Sequence, residues 1–426
     1  MTSPVTRPKR KGPSVPDRLP RLPPAMRSRA ALGLTAAATL GRFELQVCAD
    51  CGAVQYPPRE TCVRCLSDRL PWKDQSGSGA LIAETTVHLS QDSYFRERVP
   101  WRVGMVRLDA GPTLIAHLPA AGAGAPARVR VAAKLDKSGQ GVLVAFPIDE
   151  VITMADDRQL REMTCDPKGR KVLVTDAQTS VGQALVRQLL AAGAASVWAG
   201  HGQSWNKSPG YAELAALARV AMQPLDLGDA ASVKHMAAAI GGQVDILINT
   251  AEVHQPHGIA ARGGIAALEG IDDAAAEMDI NYFGLLRLAR ELAPVMRSRS
   301  AAAEGSLAAW VNLLSIYALS SFPPHGTFSA SKAAALSLSQ CLRAEMRPSG
   351  VRVINVFPGP IDDESNRALP PPKLTSDSLA KAIVAALKEG IEDVYPGDVA
   401  QEWLQRWREN PKILERELEA ENARQI

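Results

Sequence analysis

Two hydrophobic patterns divide the chain near residue 165. Before that point, short apolar runs alternate with turn residues and predict five strands, at residues 80–87, 102–108, 113–118, 129–133 and 141–146. The sequence Asp109-Ala110-Gly111-Pro112 is typical of a hairpin turn between the second and third strands. Residues 30–40 are typical of an amphipathic lead-in helix. Five closely spaced strands predict a small closed barrel of the OB-fold type.

After residue 165, apolar runs typical of strands alternate with segments of helical periodicity. Strands are predicted at residues 171–175, 244–249, 309–314 and 351–357, and helices at 182–192, 279–296 and 329–346. Such alternation predicts an α/β doubly wound, Rossmann-type parallel sheet. The expected fold class is therefore multidomain, with a small β-barrel followed by a Rossmann-type domain.

The length of 426 residues supports two or three domains. We predict a basic, Pro-rich disordered tail at 1–28, the helix and barrel module at 29–165, the Rossmann-type domain at 166–400, and a helical extension at 401–426. The net charge is +3, but residues 1–30 hold eight basic residues and one acid, so the remainder carries −4. A mildly acidic folded part argues against nucleic-acid binding, although the tail could still be a weak basic arm.

No stretch is apolar enough to predict a membrane-spanning helix. The basic start followed by residues 30–40 superficially resembles a secretory or transit signal, but that apolar part is mostly Ala and Thr. The expected location is therefore the cytoplasm.

Four of the six cysteines form two Cys-x-x-Cys pairs, Cys48 with Cys51 and Cys62 with Cys65. Such pairs offer four thiolates for tetrahedral Zn²⁺. Disulfides are the alternative, and a reducing cytosol would not sustain them. Because the set lacks a His or carboxylate ligand, we predict a structural zinc ion.

The sequence of the cysteine pairs and of the predicted barrel resembles the zinc-ribbon/OB-fold proteins of the DUF35 type. The likeness covers most of residues 40–150 and includes the run Tyr56-Pro57-Pro58-Arg59 between the cysteine pairs. It implies an accessory module that binds acyl-CoA and a thiolase-like catalytic partner. An unrelated barrel beside a generic ribbon is the alternative.

Aromatic and basic residues cluster in the barrel sequence, and OB-folds often bind nucleic acid through such clusters. With no basic excess in the domain, we expect this cluster to meet CoA phosphates or a partner surface instead. It comprises Tyr94, Phe95, Arg96, Arg98, Trp101 and Arg102.

The second domain resembles the short-chain dehydrogenase/reductase family throughout. The resemblance implies that Asn281, Ser315 and Lys332 are remnants of the catalytic set, and that Gly182, Asp226 and Asn249 are remnants of the cofactor site. The run at 351–359 and the C-terminal segments at 393–398 and 410–417 also match the family. It further implies a homo- or hetero-oligomer formed through the helices at 279–296 and 329–346.

Several family positions are altered. Phe328 stands at the tyrosine position, and a phenyl ring has no proton to transfer. Asp176 and Ser180 replace the first two loop glycines, and Glu252 replaces another cofactor-facing glycine. Asp362 and Asp363 follow the Pro-Gly after the last predicted strand, and residues 197–201 end without an acid for NAD or an Arg for NADP. NAD(P) binding is therefore doubtful.

Two residues could replace the missing phenol. His325 could act as a substitute acid, although we expect a surface-loop histidine. Tyr317 could offer its phenol from another angle. Ser315 and Lys332 could also be retained only because they cap or solvate their elements.

Two functions remain open. The first is an accessory or scaffold subunit of acyl-CoA metabolism, with a catalytically degenerate dehydrogenase domain used for assembly. The alternative is an active NAD(P)-dependent oxidoreductase acting on a 3-hydroxyacyl-CoA or 3-ketoacyl-CoA.

Overall fold

The computed structural model describes residues 21–122, 124–202, 210–254, 271–302, 308–363, 366–367 and 369–425. Most of the predicted basic tail, residues 1–20, lies outside the described residues. The predicted lead-in helix is present as α1 (Leu32–Thr39).

Three short antiparallel strands carry the cysteine pairs. They are β1 (Glu44–Val47), β2 (Val54–Gln55) and β3 (Trp72–Asp74), in the order β2-β1-β3. Leu45 on β1 is fully buried against the barrel core, so the ribbon is packed onto its neighbour.

The five predicted barrel strands are confirmed. They are β4 (Ser78–Val87), β5 (Trp101–Leu108), β6 (Thr113–His117), β7 (Ala127–Leu135) and β8 (Gly141–Pro147), and they close in the order β4-β5-β6-β8-β7. A short helix, α2 (Ser93–Arg96), joins β4 to β5. Alternate residues of the strands point inward because successive side chains of a strand face opposite sides.

The Rossmann-type domain is built on a seven-stranded parallel sheet. Its strands are β9 (Lys171–Val174), β10 (Ser196–His201), β11 (Val220–Pro224), β12 (Ile246–Asn249), β13 (Ala308–Leu313), β14 (Val351–Val356) and β15 (Asp393–Val394). The order is β11-β10-β9-β12-β13-β14-β15. The strand order reverses between β9 and β12, and ligands of such sheets bind outside the carboxyl ends of the strands at this point.

Helices cover both faces of the sheet. They are α3 (Ser180–Ala191), α4 (Tyr211–Ala216), α5 (Ala230–Ile240), α6 (Asp272–Met278), α7 (Leu285–Ala302), α8 (Gly326–Met346) and α9 (Ser376–Glu389). The helix predicted at 279–296 begins earlier, because α6 runs through a π-helical turn at Asp279–Gly284 into α7.

Two C-terminal helices complete this core, α10 (Asp398–Glu409) and α11 (Pro411–Gln425). Trp403, Leu404, Leu414 and Leu418 are buried, and all but Leu404 belong to one hydrophobic cluster with the sheet. The domain boundary that we placed at residue 400 therefore falls within α10.

The two modules meet at a buried junction around Arg352 on β14. Its guanidinium donates hydrogen bonds to the carbonyls of Leu135 (3.1 Å) and Asp136 (2.8 Å) at the end of β7. It also donates to the carbonyls of Met163 and Gly390, each at 3.0 Å. A single buried cation thus joins the barrel, the connecting segment and the sheet.

Glu162 anchors the connecting segment to the barrel. Its carboxylate accepts hydrogen bonds from Arg98 and Lys137 and from the Tyr94 hydroxyl, all between 2.8 and 3.0 Å. Burial alone would raise the pKa of Glu162, but these two cations outweigh it and hold the pKa at about 2. The buried carboxylate therefore stays charged and paired.

Candidate functional site

The four ribbon cysteines converge as their spacing predicted. Their sulfurs lie within 4.8 Å of one another, with Cys48 Sγ 3.5 Å from Cys65 Sγ and Cys51 Sγ 3.6 Å from Cys62 Sγ. Zn–S bonds of about 2.3 Å in a tetrahedron place sulfurs about 3.8 Å apart. The donor set and its spacing therefore fit zinc.

The two cysteine pairs share one backbone shape. The N–H of Gly52 donates to the carbonyl of Cys48, and the N–H of Leu66 donates to that of Cys62, each at 3.0 Å. Both Gly52 and Leu66 have positive φ, at 71° and 61°. A positive φ is unfavourable for residues other than glycine, yet Leu66 adopts it. Binding of one metal by both cysteine pairs would explain why the second turn has the same shape as the first.

The predicted aromatic and basic cluster is not an exposed platform. Tyr94 and Trp101 are only 4% exposed, and Arg98 is paired with Glu162. Arg102 pairs with Glu84 at 2.7 Å. Because these groups already have intramolecular partners, the expectation that the cluster as a whole meets phosphates or a partner is wrong. Arg96 is exposed.

The cofactor loop lies between β9 and α3, at the reversal of strand order. The Asp176 carboxylate accepts the Gln178 N–H at 2.8 Å, and the Thr179 hydroxyl caps α3 by accepting the Gly182 N–H at 3.1 Å. Backbone N–H groups of this kind bind the pyrophosphate in dinucleotide-binding loops. In this loop, side chains of the protein already accept hydrogen bonds from two such N–H groups, those of Gln178 and Gly182.

Gly182 keeps the packing role of the loop glycine nearest the helix. A Cβ at this position would stand 2.0 Å from the Asp176 carbonyl oxygen, so a side chain cannot fit without moving the backbone. The close approach of α3 to β9 is thus preserved although the phosphate-facing positions are altered.

Asp226 and Asn249 make contacts within the protein. The Asp226 carboxylate accepts the Gly228 N–H at 2.8 Å in the turn after β11. The Asn249 side-chain oxygen accepts a hydrogen bond from the Thr175 hydroxyl at 3.0 Å. Asp226 therefore stabilises the turn after β11, and Asn249 links the ends of β12 and β9, while their part in binding a cofactor stays a prediction.

Lys332 forms a buried ion pair with Glu252. Its ammonium lies 2.6 Å from Glu252 Oε2, and it donates to the Leu313 carbonyl at 3.1 Å. The lysine side chain is 2% exposed and the glutamate 24%. The ammonium is also 5.3 Å from the centre of the Phe328 ring. The charge of Lys332 is therefore balanced by Glu252. In an active relative the corresponding lysine lies beside a tyrosine, and here that position holds Phe328.

The side chains of Asn281 and Ser315 also form hydrogen bonds within the protein. Asn281 accepts the Val253 N–H at 2.9 Å and donates to the Val253 carbonyl at 2.8 Å, and it donates to the Ser331 hydroxyl at 2.9 Å. Ser315 caps the short helical turn at Ile316–Ala318 by accepting the Tyr317 N–H at 3.2 Å. Their positions match the family, and each has a structural use.

His325 is buried, so our expectation of a surface-loop histidine is wrong. It is 6% exposed and contacts the ring of His254, which stacks on Phe328 with ring centres 4.1 Å apart. Sequence reasoning missed His254, although it stands two residues after Glu252 in the segment that follows β12. Tyr317 is also buried, which raises the pKa of its phenol.

Three successive residues of the segment 251–254 thus contact α8, the π-helical turn before α7 and the turn before α8. Glu252 holds Lys332, the Val253 backbone holds Asn281, and His254 holds His325. Residues 255–270 lie outside the described part. Within the described part, the catalytic positions are occupied by contacts of the protein with itself.

Three family models match the chain in succession. They are described as ChsH2, rubredoxin-like zinc ribbon domain (residues 35–71), ChsH2, C-terminal OB-fold domain (72–134), and short chain dehydrogenase (170–373). The protein is therefore a zinc-ribbon and OB-fold module followed by a Rossmann-type domain of the dehydrogenase class.

Curated relatives of the chain include dehydrogenase/reductase proteins of animals. Dehydrogenase/reductase SDR family member 7C of Mus musculus is 32% identical over 251 residues, which is 57% of this chain and 74% of the relative. Member 7B of Rattus norvegicus is 33% identical over 199 residues, and this chain spans 57% of its length. The chain belongs to the short-chain dehydrogenase/reductase family.

A solved structure is also similar to this chain in fold. The short chain dehydrogenase of Burkholderia cenocepacia in complex with NADP is 32% identical, with a TM-score of 0.51. The match covers 59% of this chain and 98% of that one. Among the described residues, no helix is both long and apolar enough to cross a membrane.

Proposed function

We propose that this protein is an accessory subunit of acyl-CoA metabolism. Its zinc-ribbon and OB-fold module engages acyl-CoA and a thiolase-like catalytic subunit, and its dehydrogenase-type domain serves assembly. The domain pairs with itself or with an intact relative through the surfaces of α7 and α8. We place the protein in the cytoplasm, where the thiolates of the ribbon remain reduced.

The ion pair between Lys332 and Glu252 beside Phe328 carries this proposal. In an active relative, lysine lowers the pKa of a tyrosine that exchanges a proton with the substrate. Here the phenol is missing and the ammonium lies 2.6 Å from a carboxylate of the same chain. Loss of a general acid removes about 10²–10⁴-fold in rate, and more where groups act together.

The cofactor loop supports the same proposal. A dinucleotide would need N–H groups that Asp176 and Thr179 now accept. The Asp176 carboxylate also brings negative charge toward the place of a pyrophosphate, which like charges disfavour. We therefore propose that NAD(P) binds poorly or not at all.

Co-expression tests the proposed function. The chain is produced together with a thiolase-like protein encoded beside it, and the pair is examined by size-exclusion chromatography and by a CoA-dependent cleavage assay. We expect a stable complex whose cleavage activity falls when Cys48→Ser unfolds the ribbon. Lys381→Ala is the control, since Lys381 is exposed on α9, outside the ribbon and outside α7 and α8. Separate elution together with unchanged cleavage would contradict the proposal.

An NAD(P)-dependent oxidoreductase is the second candidate. The NADP complex of the Burkholderia cenocepacia relative favours it, because 98% of that chain is matched at 32% identity. Asn281, Ser315 and Lys332 also keep the family positions. The substrate would be a 3-hydroxyacyl-CoA or a 3-ketoacyl-CoA. Robust turnover by the isolated chain, lost in Ser315→Ala, would support this candidate over the first.

A further inference from the structure

A cleft of about 560 Å³ opens between the barrel and the Rossmann-type domain, away from the altered dehydrogenase site. Its walls come from β7, from the end of β8 with the segment that follows it, and from the carboxyl end of α9. Its volume lies within the range of about 300–1,000 Å³ that is common for small-molecule sites.

One side of the cleft is apolar. It is formed by the run Phe146, Pro147 and Ile148, followed by Val151 and Ile152. Phe146 and Ile152 also pack against the hydrophobic cluster around Trp101 and Leu160. Ile148, by contrast, is 48% exposed, and Val151 at the rim is 99% exposed. Apolar side chains concentrated on a concave surface are typical of a ligand or partner site.

Cationic side chains stand on the other side. Alternate positions of β7 line the cleft with Arg130, Ala132 and Lys134, and Lys388 lies in the last turn of α9. Lys134 is paired with Glu389. Within the described part of the chain, neither Arg130 nor Lys388 has an ion-pair partner, and both are exposed. Two cations therefore remain available at the edge of the apolar wall.

The carboxylates in the lining do not cancel these cations locally. Glu389 is used by Lys134, and Asp166 is 7% exposed and accepts the Lys168 N–H at 2.9 Å. Glu150 is exposed and lies on the side of the apolar segment. The arrangement fits a molecule that is apolar along one part and anionic at one end.

We propose that this cleft binds an amphipathic anion, with its apolar chain against Phe146, Ile148 and Ile152 and its anionic head beside Arg130 and Lys388. This inference rests on the proposed function in one respect, since it takes the anion to be the phosphate-bearing end of an acyl thioester. The cleft then gives acyl-CoA a site that both modules build.

The test is a calorimetric titration of the full zinc-loaded chain with octanoyl-CoA, with CoA and with S-octanoyl-pantetheine, which carries the acyl chain but no phosphate. We expect octanoyl-CoA to bind at least about tenfold more tightly than either fragment, because each fragment makes contacts with one side only. Equal binding of CoA and octanoyl-CoA would overturn the assignment of the apolar wall. Equal binding of S-octanoyl-pantetheine and octanoyl-CoA would overturn the assignment of Arg130 and Lys388 to the anionic end.

Variants locate the site. The double change Arg130→Ala and Lys388→Ala should weaken octanoyl-CoA binding by about tenfold or more, since it removes both charged partners of the anionic end. Val151→Ser with Ile148→Ser should weaken it as well. Arg107→Ala is the control, because Arg107 is exposed on β5 and outside the cleft.

The outcomes separate this inference from the proposed function. Tight binding that all cleft variants leave unchanged would overturn the cleft and leave the acyl-CoA role standing. No binding of octanoyl-CoA to the wild-type chain would overturn both. Cleft variants that change only the oligomeric state, with ligand affinity unaltered, would assign the surface to a protein partner and would also overturn the inference.

Discussion

The ribbon and the dehydrogenase-type site use their polar groups in opposite ways. In the ribbon, four cysteine sulfurs lie within 4.8 Å of one another, so their arrangement is explained by an ion held between them. In the dehydrogenase-type site, Lys332, Asn281 and Ser315 are satisfied by Glu252, by the Val253 backbone and by the Tyr317 N–H.

This difference teaches that matching a family's positions does not establish its chemistry. A site that needs a ligand leaves groups arranged around a space, whereas a site that has become structural pairs them with each other. The first module therefore has a site that fits zinc. In the second module the groups at the catalytic positions pair with one another, which supports the proposed loss of dehydrogenase activity.

The largest expected effect comes from removing a zinc ligand. Cys48→Ser should abolish tight zinc binding and unfold the ribbon, because metal binding and folding are coupled in such sites. Metal analysis and limited proteolysis of residues 43–74 measure both effects. The N–H of Cys51 helps to hold the pKa of the Cys48 thiol at about 7, which favours the thiolate that zinc requires. Full zinc content in Cys48→Ser, or an equal loss in Cys341→Ser, would show that the metal lies elsewhere.

The next effect comes from breaking the ion pair in the second module. Glu252→Ala leaves the Lys332 ammonium buried without its partner, and should lower the free energy of unfolding by about 2–3 kcal/mol. This is less than the loss of about 3–5 kcal/mol that is typical of breaking a fully buried pair, because Glu252 keeps 24% of its side chain exposed. Urea unfolding measures the change. The double variant Glu252→Leu with Lys332→Met should regain most of the loss, and equal destabilisation in both variants would contradict a coupled pair.

A smaller, pH-dependent effect is expected at Asp176. Burial raises the pKa of this carboxyl above its ordinary value of 3.8, so its ionisation destabilises the fold as pH rises above that value. Asp176→Asn keeps an oxygen to accept the Gln178 N–H and should stabilise the protein by less than about 1 kcal/mol at pH 7. Below pH 3.8 the stability gain of the variant should vanish, because Asp176 is then protonated in both the folded and the unfolded protein. Thermal unfolding between pH 3 and pH 7 checks the trend, and a gain that grows toward acid would refute it.

The smallest expected effect is that of restoring the phenol. Phe328→Tyr alone should not create 3-hydroxyacyl-CoA dehydrogenase turnover, because Lys332 stays paired with Glu252 and the cofactor loop stays occupied. A spectrophotometric assay of NAD(P)H formation tests this. Clear turnover by the single variant would show that the cofactor site is functional.

The fold could be predicted largely from the sequence, because period-two alternation and strand–helix alternation are local signals. The five barrel strands and the parallel sheet are confirmed. The extent of α6 and α7 was underestimated, since the π-helical turn at Asp279–Gly284 carries the helix through a segment that we took as its start. The C-terminal extension was separated from the domain although Trp403 and Leu414 pack into its core.

The sequence was sufficient to predict which residues lie in the two sites, but not most of the contacts that those residues make. Cysteine spacing was sufficient for zinc because all four ligands lie within one short segment. The burial of His325, its contact with His254, and the junction around Arg352 depend on residues distant in sequence. Glu252 was recognised as a substitution, but only the folded chain shows that its carboxylate reaches Lys332.

The most direct test of the contrast between the two modules is a dinucleotide titration of the full chain beside the triple variant Asp176→Gly, Ser180→Gly and Glu252→Gly. We predict no stoichiometric binding of NADPH or NADH at micromolar concentration by the wild-type chain, and measurable binding by the triple variant if its fold is retained by circular dichroism. Stoichiometric micromolar binding by the wild-type chain would contradict the account.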